Sequence, residues 1–257
     1  EQKVIIPFRF SGISYFNDLL TNYFKVETES YLYGYIDTAG VITCEPKFRK
    51  AMPFCNHFAR VKDKQDRWRF INRRYEFISD RHFEEIRDFH NGLAAFKKGK
   101  YWGFVDTTGQ TIVEPQYRKA GDFSDGIAYV RMRTKKRFFG LIRGKRRYTY
   151  INTKGEILFT PKFKKAESSQ NGAAMAYKNG KKYIITPEGE IIFSTKHYIS
   201  EFNKYGLAVF SDKNRKKGLL NNKGEVILKP DDIQDIEPFS EGYAQVKINN
   251  RCGFIDT

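Results

Sequence analysis

One short phrase returns at near-constant spacing through this chain and limits its fold more than any other feature. The phrase is aromatic, Gly, aromatic, Ile, Asp, then a turn. Its copies read YGYIDTAG (33–40), WRFINRRY (68–75), WGFVDTTG (102–109), YTYINTKG (148–155), KYIITPEG (182–189), KGLLNNKG (217–224) and CGFIDT (252–257). Start-to-start spacings are 35, 34, 46, 34, 35 and 35 residues. A period near 35 residues is the mark of a repeat architecture, in which one supersecondary unit stacks on the next.

Each column has a physical reason. The turn opens on Asp37, Asn72, Asp106, Asn152 or Asn221 and closes on Gly40, Gly109, Gly155, Gly189 or Gly224. An Asx side chain bonds the backbone two residues on, and Gly supplies a positive φ, so these are hairpin turns between short strands. In the fifth copy, Thr186-Pro187-Glu188-Gly189 suits a type I turn. A second apolar run follows: VITCEP, YEFISD, TIVEP, EILFTP, EIIFST, EVILKP. Pro46, Pro115, Pro161 and Pro230 are expected to end it, because Pro cannot donate to a ladder.

Next comes a segment closing on Phe54, Phe89, Phe123, Phe202 or Phe239. A Gly (Gly92, Gly126, Gly172, Gly206, Gly242) then leads into a third strand built on Ala59, Ala94, Ala128, Ala174, Ala208 or Ala244. A small residue there leaves room for a neighbouring aromatic ring. These columns read as packing between units, since aromatics mostly carry core area. Apolar residues occupy both phases of the strands, as in 102–105 and 127–130, which predicts strands covered on both faces.

The fold expected is all-β, one repeat domain over 1–257. A partial unit spans 1–32, full units span 33–67, 68–101, 102–147, 148–181, 182–216 and 217–251, and a closing strand spans 252–257. The N-terminal VIIP (4–7) looks like a second strand that lacks its first, and a short helix is expected around 17–23. If the two ends pool their strands, the chain is a closed seven-unit β-propeller with one unit shared by the termini. The alternative is an open superhelical β-array.

The phrase WGFVDTTGQTIVEPQYRKAGDFSDGIAYV (102–130), like PFSEGYAQV (238–246), resembles the WG repeat family of bacterial proteins. The resemblance covers nearly the whole chain from Tyr33. Departures are that only Trp68 and Trp102 keep Trp, and that Arg69, Thr149 and Tyr183 replace the first Gly. The resemblance implies a repeat scaffold with an interaction role, often in surface, envelope or multidomain settings. It implies no reaction.

The cadence breaks once. The third unit is about a dozen residues too long, and the excess lies in RMRTKKRFFGLIRGKRRY (131–148). Arg131, Arg133, Lys135, Lys136, Arg137, Arg143, Lys145, Arg146 and Arg147 place nine positive charges and no acid within 131–147, out of a whole-chain net charge of +16. The expected form is a β-ribbon or loop with Phe138, Phe139, Leu141 and Ile142 near its tip. It would grip an acidic protein, a lipid headgroup or a nucleic acid, because such charge speaks to association. Against that stands a solvated hairpin without a partner, since basic runs are common. An insertion in a regular array is where a repeat protein puts a special contact.

Other chemistry finds little support. No Gly-rich phosphate loop occurs, and His57, His82, His90 and His197 form no zinc-ligand pattern. His57 reads as a surface turn residue. Asp231, Asp232 and Asp235 lack the ligand spacing of a calcium loop, and read as a solvated loop. Cys44, Cys55 and Cys252 form no C-x-x-C. No run approaches the roughly 18 apolar residues of a membrane helix. The function expected is non-catalytic protein binding in a larger assembly, with no cofactor and no metal. The basic insertion is the contact surface, and the place expected is the bacterial envelope after removal of a leader. A nucleic-acid binder is the first rival. A glycan-directed protein is the second, and as an enzyme it needs two carboxylates roughly 5–10 Å apart in a cleft.

Overall fold

The computed structural model describes residues 10–17, 22–55, 57–138, 141–160, 162–231 and 233–257, with backbone alone for 16–17, 22–25, 133–138 and 141–145. The segment VIIP (4–7) therefore lies outside the described residues. Every described element is a β-strand, and the strands form seven small antiparallel sheets. Of the helix expected around 17–23, the described residues Asn17, Asn22 and Tyr23 are in strands: Gly12–Asn17 and Asn22–Glu27 pair in register from Gly12 opposite Glu27 to Asn17 opposite Asn22. Residues 18–21 lie outside the described set.

The chain falls into two compact units, Glu1–Gln116 and Tyr117–Thr257. The first holds three sheets. These are Gly12–Asn17, Asn22–Glu27, Tyr33–Asp37 and Ile42–Phe48; then Lys50–Cys55, Phe58–Lys62 and Trp68–Ile71; then Glu85–His90, Leu93–Lys98, Tyr101–Asp106 and Thr111–Tyr117. The second holds four. The fourth sheet has Lys119–Ala120, Ile127–Phe138 and Leu141–Asn152, and the fifth has Lys165–Ala166, Ala174–Lys178, Lys181–Ile185 and Ile191–Thr195. The sixth has Leu207–Ser211, Lys217–Asn221 and Val226–Leu228, and the seventh has Ile233–Ile236, Tyr243–Ile248 and Arg251–Asp256. Each sheet joins the Phe and Ala columns of one sequence repeat to the aromatic–Gly–aromatic phrase of the next. Sheets and repeats are thus out of phase.

The hydrophobic core is a series of seams between adjacent sheets. In the first unit, Tyr35, Cys44 and Phe48 of the first sheet meet Ala51, Phe54, Ala59 and Val61 of the second. Phe70 of the second meets Ile86, Phe89, Ala94 and Phe96 of the third. In the second unit the same columns meet again. Tyr150 packs with Ala166, Ala174 and Ala176, Met175 and Ile184 pack with Phe202, Ala208 and Phe210, and Leu207 and Leu219 pack with Ile236, Ala244 and Val246. All six alanines of the predicted small column are buried. Within each compact unit the Phe and Ala columns pack adjacent sheets together, as their pattern implied. Each fully buried large side chain contributes about 1.5–3 kcal/mol.

Polar contacts stitch the same seams. Arg60 of the second sheet donates to both carboxylate oxygens of Asp88 in the third, at 2.6 and 2.8 Å, and to Ile86 O at 2.9 Å. In the second unit, Asp125 Oδ2 accepts from Ser169 Oγ at 2.7 Å and from Gly172 N at 2.9 Å. Asn171 Nδ2 donates to Phe202 O at 2.8 Å, and Gly242 N donates to Tyr205 Oη at 2.9 Å. Asp125, Asn171 and Tyr205 each sit in a hairpin turn, so each turn is tied to the next sheet.

The turns behave as their residues dictate. Asp106 Oδ1 accepts from Thr108 N and Gln110 N, both at 2.9 Å, and Gly109 takes φ +86°. The second sheet lacks that Gly, and Tyr75 adopts φ +62° instead. Strain at a bulky residue is offset by packing: its ring stacks on Tyr35 at 5.5 Å and its hydroxyl donates to Thr43 Oγ1 at 2.7 Å.

The first Gly of the phrase is set by a close approach. A Cβ on Gly34 would lie 2.4 Å from Cys44 O and 2.8 Å from Pro46 N; one on Gly103 would meet Val113 O and Pro115 N at the same distances. The outer strand bulges against this Gly, with register shifts around Tyr35. The expected stop at Pro46 and Pro115 is therefore corrected. Ile42–Phe48 and Thr111–Tyr117 run through those prolines. The strand is outermost, where a missing N–H costs no ladder bond. Where a side chain replaces the Gly, the outer strand changes. Beside Arg69 and Thr149 only isolated bridges remain, Trp68 to Phe83, Ile71 to Phe77, Tyr148 to Phe163 and Ile151 to Ile157. Arg69 stacks on Phe77 at 3.5 Å and donates to Ser79 O at 2.8 Å, while Thr149 Oγ1 donates to Phe159 O at 2.6 Å. Tyr183 instead stands directly opposite Ser194, in a unit whose outer strand has no Pro.

Two outcomes are expected. Gly103→Ala should lower stability by about 1–3 kcal/mol through overpacking, read as a fall in the urea midpoint at unchanged slope. Acid should also destabilise the fold. Burial pushes the Asp63 and Asp106 carboxyls up, but hydrogen bonds from Arg67 and Gln65 to Asp63, and from Thr108, Gln110 and Gly109 to Asp106, outweigh it and hold both below the usual range. Such groups stabilise fully above their unfolded value, about 3.9, and lose that contribution as pH falls through the lower folded value. Melting temperature should hold from pH 7 to about 5 and drop below about 4.

Candidate functional site: a basic β-ribbon

The insertion lengthens two strands. Ile127–Phe138 and Leu141–Asn152 pair without a break, from Ile127 opposite Asn152 to Phe138 opposite Leu141. Each has 12 residues, against five in the Ala174–Lys178 and Lys181–Ile185 pair of the next sheet. At about 3.3 Å per residue the hairpin is roughly 40 Å long.

Its lower half is core. Ile127, Ala128, Val130, Tyr150 and Ile151 are buried. The third strand of the sheet reaches only to Lys119 opposite Arg131, and the last contact on the other side is the Tyr148 to Phe163 bridge. Among the described residues the ladder continues beyond that level as two strands alone. Arg131 marks the boundary. Its carbonyl accepts from Arg118 N at 2.9 Å, its guanidinium lies 5.9 Å from the Tyr148 ring, and its Nε is buried without a hydrogen-bond partner among the described residues.

The expected ribbon is therefore present, and its register brings the basic positions together. Arg133 stands opposite Arg146, Lys136 opposite Arg143, Met132 opposite Arg147 and Thr134 opposite Lys145. Lys135 faces Gly144, Arg137 faces Ile142, and the apolar Phe138 faces Leu141 at the tip. Arg133, Lys135, Lys136, Arg137, Phe138, Arg143 and Lys145 are placed by backbone register alone, and Phe139 lies outside the described residues. Arg146 is exposed, Arg131 and Arg147 are half-buried, and an Arg147 terminal nitrogen donates to Arg146 O at 3.0 Å.

A second feature escaped the sequence reading. A cavity of about 430 Å³ in the second unit is lined by Lys119, Tyr129, Lys165, Glu167, Met175 and Glu201, among others. Glu167 is held by Lys165 and accepts from Tyr177 Oη at 3.0 Å. Burial and that carboxylate push the Tyr177 phenol up to about 12. Glu167 is thus a strut in the wall. Its signal in sequence was slight: it follows Ala166 in the column where Met52 follows Ala51 and Arg87 follows Ile86. Elsewhere, Asp235 is engaged by Lys217, and Asp232 lies outside the described residues. Among the described residues no group of three or more His, Cys, Asp or Glu gathers as a metal cluster would, and no helix is long and apolar enough to cross a membrane. Cys44, Cys55 and Cys252 form no disulfide among the described residues.

The model of the WG containing repeat matches residues 33–66, 68–102, 102–135, 148–181 and 218–252, well over half of the chain. This chain is a member of the WG-repeat family. The unit at 182–216 goes unmatched, in keeping with its Lys182-Tyr183-Ile184 in place of aromatic–Gly–aromatic. No curated protein matches this WG-repeat chain. Among solved structures, similar chains include PorZ, a bacterial surface component of the type-IX secretion system of Porphyromonas gingivalis, at 11% identity and TM-score 0.35, covering 96% of this chain and 39% of that one. The WG-repeat chain thus spans about two-fifths of PorZ. Kluyveromyces lactis Hsv2 aligns at 8% identity and TM-score 0.39, covering 90% and 88%. The Dos1 propeller aligns at 11% identity and TM-score 0.37, covering 91% and 75%.

Proposed function

We propose that this WG-repeat chain is a non-catalytic interaction scaffold and that the ribbon over 131–147 is its contact surface for an acidic protein partner. The register carries the reading. Like charges directly opposite one another destabilise a strand pair, and a two-stranded ribbon is marginal in water on its own. This ribbon sets Arg133 against Arg146 and Lys136 against Arg143, with no acid anywhere in the insertion. An anionic partner removes that repulsion, so the free ribbon carries an electrostatic cost that binding relieves. A strand-rich acidic segment fits best, because alternate residues of an extended chain repeat at about 6.6–6.8 Å, the same pitch as alternate basic positions along 131–137. The apolar tip, Phe138 opposite Leu141, adds a hydrophobic anchor.

The setting proposed is a multi-subunit assembly of the bacterial envelope, on the strength of the family resemblance. Catalysis forms no part of the proposal. The seam between the ribbon's sheet and the fifth sheet is apolar, and of the two cavity carboxylates Glu167 is already held by Lys165 and Tyr177.

The test compares the full chain with a variant whose residues 132–147 are replaced by a short Gly-Ser turn. The variant should keep the melting temperature of the parent within about 2 °C, because the segment lies beyond the three-stranded ladder. It should lose at least about tenfold in affinity for poly-glutamate, about 1.4 kcal/mol, and should fail to recover partners that the parent recovers on affinity purification. Equal partners at equal yield would sink the proposal. Tighter binding to a single-stranded oligonucleotide than to poly-glutamate, falling steeply with salt, would reassign the ribbon to nucleic acid.

A further inference from the structure

The seams between sheets are built from the same columns, so one can be read against another. In the first unit, Arg60 follows Ala59, and Asp88 precedes Phe89 in the next sheet. The guanidinium fills the seam, forked onto Asp88 and capped on Ile86 O. In the second unit the matching positions between the fifth and sixth sheets are Met175, which follows Ala174, and Glu201, which precedes Phe202. The ladder confirms the alignment. Ala59 stands opposite Ile71 and Ala174 opposite Ile185, while Ile86 bridges Phe96 as Ile199 bridges Phe210.

The carboxylate is thus retained and the guanidinium is missing. A cavity of about 430 Å³ lies there, lined by Met175, Glu201 and Phe202 with Tyr129 from the fourth sheet. Its volume lies in the range of small-ligand pockets, about 300–1,000 Å³. The lining joins aromatic and thioether surface to two carboxylates, Glu167 and Glu201, and Glu201 makes no ion pair among the described residues. Lys119 and Lys165 stand at the same opening. Lys165 is committed to Glu167.

We propose that this cavity binds an alkylguanidinium group, the head of an arginine, in the seam position that Arg60 fills in the first unit. The planar cation forks onto the Glu201 carboxylate, a geometry that guanidinium meets and ammonium does not. Its alkyl stem lies along Met175 and Phe202, and the Tyr129 ring, which already holds the Lys119 ammonium at 5.7 Å, closes the wall on the fourth-sheet side. The arginine comes either from free arginine, whose carboxylate Lys119 would meet, or from an arginine side chain of a partner protein.

The full chain carrying [13C-methyl]methionine is titrated with ethylguanidinium, with ethylammonium at equal ionic strength as the control. The Met175 methyl should shift saturably with ethylguanidinium, the Met52 and Met132 methyls should stay put, and ethylammonium should bind at least tenfold more weakly. Glu201→Gln, which keeps the shape and removes the charge, should weaken ethylguanidinium at least tenfold. Met175→Arg supplies the guanidinium from the chain itself and should raise the melting temperature while ending the thermal response to ethylguanidinium. L-arginine and a Gly-Gly-Arg-Gly-Gly peptide then separate the sources. Tighter binding of the free amino acid assigns a metabolite, and tighter binding of the peptide assigns a partner chain. A Met175 methyl that does not move, or that moves equally in the Glu201→Gln chain, overturns the proposal. If Met175→Arg does not fold, the Glu201→Gln titration decides alone.

Discussion

An alanine methyl set against an aromatic or aliphatic face at each seam is the contact on which the rest of this structure depends. Ala59, Ala94, Ala174, Ala208 and Ala244 are buried at five such seams, facing Tyr35, Phe70, Tyr150, Met175 and Leu207 or their neighbours. A sheet of three or four short strands cannot bury enough surface alone. It becomes stable by covering both faces with its neighbours, which is why its strands are apolar in both phases. A larger residue in the Ala column would push two sheets apart along their whole length. Repetition of one small residue therefore sets the spacing of the sheets within each compact unit.

Those columns could be read without coordinates because each encodes a local constraint repeated many times. Asp106 caps its own turn, Gly109 takes its positive φ, and Ala128 is buried, all within one period. The role of Gly103 was harder to see. Nothing in a strand demands a glycine until the next strand is found to bulge onto it through Pro115. For the same reason Pro115 looked like an end and is a passage. The helix expected around 17–23 failed because a single irregular stretch offers no second copy to average over. Ring or open array is a different kind of question. Closure depends on the sum of small angles between successive sheets, and no residue column encodes a sum.

Departures from the columns carry more information than agreement with them. Arg69 and Thr149 stand where Gly belongs, and in both sheets the outer strand shrinks to isolated bridges while the new side chain bonds the displaced backbone. The array survives because the loss falls on an outer strand, away from the seam. Met175, at the position that Arg60 takes in the first unit, is a difference of another sort. It falls inside a seam, leaves the opposing carboxylate in position, and opens a space. The sequence showed both residues but not the pairing, because Met175 and Glu201 belong to different sheets and are 26 positions apart.

The ribbon follows from the same geometry. An insertion placed between the third strand of one repeat and the first of the next enters the hairpin that joins neighbouring strands of one sheet. Lengthening both arms equally preserves the register from Ile127 opposite Asn152 upward, so the buried half is untouched. Length unequal between the arms would have slipped the pairing by a residue and exchanged the faces that Val130 and Tyr150 present. Added residues are therefore free to take any composition that a two-stranded ladder tolerates. This chain fills them with nine cations and an apolar tip. That composition weakens the ribbon in isolation, and no fold requirement asks for it. What the core does not need and the ribbon does not gain from is most simply explained by something the ribbon meets.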